Sequence, residues 1–191
     1  MNEQQTQPLP TSSQTERKRR KWFSYILYFA MGLLIAMGIR TVVEPTIVVG
    51  ESMLPNLEEG QYLLNLKMAY KWDQPDYGDV VIVDTLDVNQ NHRYLIKRVI
   101  GLPGDTIEIK DNILYRNGKA IQEDYILEPM EDNLDIQVTL GKNEVWVMGD
   151  NRNHSTDSRV IGPLDYTKDV RGKVILRLIP FDQSFQREIH G

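Results

Sequence analysis

The chain reads as a mostly β protein behind a single N-terminal transmembrane helix. Three observations carry that reading. An 18-residue uncharged run, WFSYILYFAMGLLIAMGI from Trp22 to Ile39, follows a cluster of five cations. Beyond Arg40 no long stretch repeats its apolar residues with the helical period, and short runs rich in Val, Ile, Leu and Tyr recur instead. Gly, Pro, Asn and Asp separate those runs as turn formers. The expected body is an antiparallel β-sheet or barrel-like domain over residues 40–191, with a smaller inserted β region at about 106–143.

Residues 1–16 are polar and rich in Gln, Pro, Ser and Thr, so a disordered tail is expected there. With the RKRRK block that follows, it forms an expected disordered basic tail, 1–21. As a helix, residues 22–39 span about 27 Å, close to the ~30 Å hydrocarbon core. Lys21 and Arg40 can snorkel at its ends, and Trp22 and Tyr25 suit the headgroup level. The cations before the span place that end in the cytoplasm and the body outside, at the cell membrane. A cleaved leader would show the same charged front and a small-x-small triplet such as Ala36-Met37-Gly38. The length of the apolar run and of the tail before it favours a retained single-pass anchor.

The body then offers strand-like runs in order: TIVV (46–49), YLLN (62–65), DVVIVD (79–84), YLIKRVI (94–100), TIEI (106–109), EVWVM (144–148) and KVILRLI (173–179). Asn117-Gly118 between "ILYR" and "KAI" predicts a hairpin, and "GLPGD" (101–105) a tight turn.

Composition removes whole classes of function. No cysteine is present, so disulfides, Cys-rich zinc sites and thiol nucleophiles are excluded, a sortase among them. Residues 41–191 hold 16 basic against 25 acidic side chains, a net charge of −9, which argues against nucleic acid as a partner.

Three stretches hold candidate chemistry. Ser52, in "VVGESMLPNL" (48–57), stands between an apolar run and Pro55, where it is either a turn residue or a nucleophile. Neither a G-x-S-x-G elbow nor an S-x-x-K arrangement surrounds it. The histidines are His92, His154 and His190, and no spacing selects one as its base. Lys97, in YLIKRVI, shares a strand face with Leu95 and Val99. There it either snorkels to the sheet edge or is buried, loses its charge and becomes a competent general base. The third stretch is GDNRNHSTDSR (149–159). It is a solvated loop of Asx-turns or a buried polar network serving a site; a calcium loop fails because Arg152 would occupy a ligand position.

Together with the span, "GESMLPNL" (50–57), "GDVVIV" (78–83), "IKRVIGLPGD" (96–105) and "GDNRNHSTDSR" (149–159) resemble bacterial type I signal peptidases of the Gram-positive kind. These are membrane-anchored Ser/Lys serine endopeptidases, and the motifs occur in family order from residue 22 to about 180. The resemblance implies Ser52 as nucleophile and Lys97 as general base. Ser155 would orient the lysine, Asp157 and Arg159 would support the site, and Met53 would help line it. It implies a largely antiparallel β protease domain with an insertion between the lysine and the GDN motif. It further implies signal-peptide-bearing preproteins as partners, a monomer held by membrane lipid, and neither cofactor nor metal.

Two positions depart from the pattern. Gly50 stands where some members carry a serine that helps bind the oxyanion, so backbone N–H groups must serve. Asn56 stands where Thr is usual. Two rivals are a self-cleaving Ser/Lys repressor, which needs a DNA-binding domain where this chain has its span, and a non-catalytic anchored β module.

Overall fold

The computed structural model describes residues 12–87 and 89–179; residues 1–11 of the expected tail and His190 lie outside them. Two compact units divide between Thr41 and Val42. The first holds most of α1 (Ser12–Val42). Within α1, Arg19–Val42 is long and apolar enough to cross a membrane, 24 residues with none of the span buried. At ~1.5 Å per residue it is about 36 Å long. Residues 12–21 of the expected disordered tail belong instead to this helix. Gln, Glu, Arg and Lys are good helix formers, and they extend a helix that the apolar run already nucleates.

The second unit holds eleven strands among the described residues: β1 (Val43–Ile47), β2 (Tyr62–Leu66), β3 (Val80–Leu86), β4 (His92–Gly101), β5 (Thr106–Lys110), β6 (Ile113–Arg116), β7 (Lys119–Ala120), β8 (Ile136–Thr139), β9 (Glu144–Met148), β10 (Leu164–Asp165) and β11 (Val170–Ile179). One short helix, α2 (Ser158–Ile161), follows the GDN stretch. The mostly antiparallel β architecture with an N-terminal apolar helix is what the sequence predicts. Among the described residues no sheet closes into a barrel. The seven-stranded sheet runs β1-β2-β11-β3-β4-β9-β10 and ends in two edges. Pro45 sits in edge strand β1, where its missing N–H is not needed, and β10 is only two residues long. The first strand begins at Val43, earlier than the TIVV run suggests, because the chain enters the sheet directly from α1.

Strands β5 to β8 form a separate four-stranded sheet, order β7-β6-β5-β8. Its hairpin turns at Asn117 and Gly118, whose φ values of 53° and 77° are those of a two-residue primed turn. Ile107, Ile109 and Leu114 of this sheet pack with Ile100, Trp146 and Met148 of the larger one.

From Val80 to Val83 in β3 and from Leu95 onward in β4 the strands are covered on both faces, which explains the unbroken apolar run "VVIV" and leaves Lys97 and Arg98 of "YLIKRVI" buried despite their charge. Val80, Ile82 and Ile96 pack with Val48, Met53, Leu57 and Leu63 on one face. Val81, Val83, Leu95 and Val99 pack with Val145 and Val147 on the other. The register pairs Val81 with Lys97 and Ile82 with Ile96. Strand β9 meets β4 only from Arg98 to Gly101, so among the described residues no strand covers the outer edge of β4 from His92 to Lys97. Ser52 meets Lys97 at the end of that uncovered edge.

Candidate active site

Period-two alternation places Lys97 on the same face as Leu95 and Val99, and tertiary packing buries it to 1% exposure. Its Nζ lies 2.7 Å from Ser52 Oγ and 2.8 Å from the Ile96 carbonyl oxygen. Burial drives the lysine pKa down from 10.5 to about 8. The carboxylates of Asp157 and Asp150 oppose that fall, and Arg93 and Arg159 assist it. A neutral amine can accept the Ser52 proton while donating to Ile96.

Ser52 lies in the turn between β1 and β2, whose course is set on both sides. Gly50 has φ of 85°, and a Cβ there would meet open space, so the constraint is backbone conformation. A serine at this position, which the resemblance allows, would carry a strained backbone. Beyond Ser52, Met53 is buried among Val48, Leu57 and Ile82 and anchors the turn in the core. The Ser52 carbonyl accepts the Asn151 N–H at 3.1 Å, which ties the turn to the GDN stretch.

That stretch forms a buried network. Asp157 is the N-cap of α2 and accepts hydrogen bonds from the N–H of Gly149 at 3.0 Å and from Nε and a terminal nitrogen of Arg159, both at 2.9 Å. Burial pushes the Asp157 carboxyl up, but the bonds and charge of Arg159 overcome it and hold the group below its ordinary value. Arg159 also bonds the Arg152 carbonyl and pairs with Asp132.

Ser155 lines the cleft beside Ser52 and Lys97. Its buried hydroxyl makes no hydrogen bond of normal geometry among the described residues, although Asp157 is near enough to feel it. The second anchor of the amine is therefore the Ile96 carbonyl rather than Ser155. His154 is exposed, and its partner is Glu51 at 3.7 Å.

The sequence reading missed several residues that hold this geometry. Arg98, next to Lys97, makes a fully buried two-pronged pair with Asp150 at 2.8 and 2.6 Å. The departure at Asn56 connects to the same pair: its Nδ2 donates to Asp150 at 2.9 Å and to the Tyr125 carbonyl at 2.7 Å. A threonine hydroxyl has one proton and could make only one of these bonds. Arg152 bonds the Gly149 carbonyl and pairs with Glu123, whose side chain is 8% exposed. The polar density of "GDNRN" and the IKR triplet were the available signals; their partners, Glu123 and Asn56, lie far away in sequence.

Gly149 is required for lack of space. A Cβ there would stand 2.3 Å from Ser155 Oγ and 2.5 Å from the Ser52 carbonyl oxygen. Gly149→Ala is therefore expected to displace Ser52 and lower kcat by about a hundredfold with a smaller change in KM, read from steady-state cleavage kinetics.

An apolar cavity of ≈250 Å³ opens beside the pair, between segment 46–50 and β4, and is floored by Met53, Ile82 and Ile96. A second, more polar cleft of ≈320 Å³ lies alongside it.

A serine hydroxyl bonded to a buried amine, at the uncovered edge of an antiparallel sheet, is the equipment of a serine endopeptidase. The family model described as signal peptidase, peptidase S26, matches residues 20–179. The chain is 40% identical over 156 residues to the probable signal peptidase I-1 of Synechocystis sp. (strain ATCC 27184 / PCC 6803 / Kazusa), an overlap of 78% of this chain and 79% of that protein. It is 33% identical over 184 residues to signal peptidase I of Bacillus licheniformis, covering 91% of this chain and 97% of the relative. A crystal structure of a signal peptidase I from Enterococcus faecalis V583 covers 54% of this chain and 98% of its own, at 29% identity and a TM-score of 0.45. The chain belongs to the signal peptidase family, peptidase S26, and the apolar α1 fits the membrane anchor of that family.

Proposed function

We propose that this protein removes N-terminal signal peptides from exported preproteins, with Ser52 as nucleophile and Lys97 as general base. The observation that carries the reading is the 2.7 Å approach of a 1% exposed lysine amine to the serine hydroxyl. The Ser52 proton moves to Lys97 Nζ as Oγ forms a bond to the scissile carbonyl carbon. The developing oxyanion is met by backbone N–H groups, including that of Ser52, which donates to no described residue. Collapse breaks the C–N bond. Lys97 passes its proton to the departing amine, the new N-terminus of the mature protein. Water, deprotonated by the neutral amine, then attacks the acyl-enzyme and releases the signal fragment with a free carboxyl group.

The uncovered edge of β4 and segment 46–50 suit an extended substrate that adds as a strand. Alternate side chains then enter the apolar cavity, which favours small apolar groups near the scissile bond. Asp157 and Arg159, with Gly149, hold the GDN stretch against Ser52. The basic block before the span puts the N-terminus in the cytoplasm and the active site on the far side of the membrane, where exported chains emerge.

A pH–rate profile on a purified preprotein tests the assignment. With Lys97 at about 8, roughly one tenth of the enzyme holds the neutral amine at pH 7, and kcat/KM should rise with pH and level off above about 8. A limb near the ordinary histidine value, lost in His154→Ala, would point to a Ser–His mechanism instead.

A further inference from the structure

Leu95 and Lys97 of β4 border both cavities, whereas Tyr94 and Ile96 line the apolar one and Arg93 the polar cleft. Arg93, Leu95 and Lys97 share a strand face by period-two alternation and line the cleft together. The polar residues beside Arg93 are occupied: His92 lies 2.7 Å from Asp84, and Tyr94 accepts a hydrogen bond from Arg171, whose guanidinium lies over its ring. Arg93 is exposed, and its side chain has neither a hydrogen bond nor an ion pair among the described residues. Asp87, in the turn between β3 and β4, feels its charge without bonding it. On the opposite wall Glu51 faces His154 at 3.7 Å, beside Ser52. The cleft is thus cationic at the end beyond Leu95.

We propose that this cleft is a second specificity subsite, in which Arg93 selects a carboxylate side chain two or four residues before the scissile bond. The inference rests on the cleavage reading above. A strand laid along the uncovered edge of β4 sends successive side chains to opposite faces of the sheet. If the small residues enter the apolar cavity, those alternating with them face the polar cleft. The substrate segment before the bond runs from Lys97 towards Arg93, because the apolar cavity lies along the same stretch, Tyr94 to Lys97. Arg93 stands four strand positions from Lys97, about 13 Å, within its own side chain's reach of both alternating positions. It lines the same cleft as Ser52 and Lys97, and its charge acts on Lys97.

The test uses the full-length enzyme in detergent and matched preproteins carrying Glu, Gln or Lys at the second or the fourth position before the bond. The readout is the ratio of kcat/KM for Glu over Lys at one pH, in which any change in Lys97 itself cancels. Wild type should favour Glu about three- to tenfold, less at high salt, as expected of a solvent-exposed charge pair. Arg93→Gln should level the ratio and Arg93→Glu should invert it. Equal turnover of Glu and Lys substrates, or a preference that survives Arg93→Glu, overturns the subsite. Turnover of the Gln substrate by every variant shows separately that the cleavage reaction stands; its absence in wild type overturns both readings.

Discussion

Lys97→Met is expected to abolish cleavage while making the protein more stable at neutral pH. Loss of the base should lower kcat by a factor on the order of 10⁴ or more, and Ser52→Ala should do the same, since nucleophile and base act as one unit. Stability moves the other way. The unfolded chain holds the lysine proton up to pH 10.5, the folded chain only to about 8. Between those values the unfolded state binds more protons, so stability rises with pH; below about 8 the full cost of the buried amine, about 3 kcal/mol, is present. Methionine removes that cost and loses the bonds to Ser52 and Ile96. At pH 7 the variant should gain about 1–3 kcal/mol in denaturant unfolding, and its advantage should shrink as pH approaches 10. A variant that is inactive yet no more stable, with a wild type whose stability is flat from pH 8 to 10, would mean that Lys97 is charged and wet.

Asp150→Asn carries the largest expected loss of stability. Arg98 and Asp150 are both completely buried, and Asp150 holds two guanidinium nitrogens and the Asn56 amide. Removing the carboxylate charge takes from the buried guanidinium the counter-charge that holds two of its nitrogens, at a cost of about 3–5 kcal/mol. A thermal midpoint lower by roughly 10 °C should result. Activity should fall as well, because Arg98 neighbours Lys97 and the Asn151 N–H next to Asp150 holds the Ser52 carbonyl. An unchanged midpoint would show that water replaces the pair.

Much of this was legible in residue order. The Asn117-Gly118 hairpin depends on two neighbouring residues with positive φ, and local chemistry was enough to place it. The doubly buried strand β3 announced itself as the unbroken apolar run VVIV, and β4 as an apolar run interrupted by Lys97 and Arg98. Other features were hidden because their causes are remote. TIVV suggested a strand at 46–49, but the strand runs from Val43 to Ile47 because α1 feeds the edge of the sheet. Lys97 could not be told from a snorkelling lysine by pattern, since Arg98 on the other face looks equivalent. Only the packed sheet shows that Arg98 meets a carboxylate while Lys97 meets a hydroxyl.

The amino-acid sequence by itself determined the apolar span, the antiparallel strands and the order of the motifs, because these follow from periodicity, charge and turn chemistry acting over a few residues. The tertiary structure decided which polar groups meet: Lys97 with Ser52 across 45 positions, Arg98 with Asp150 across 52, and Asn56 with Asp150 across 94. A lysine's proton affinity depends on the water taken from it and the charges brought to it. Both are properties of packed surfaces, which exist only once the sheet has formed.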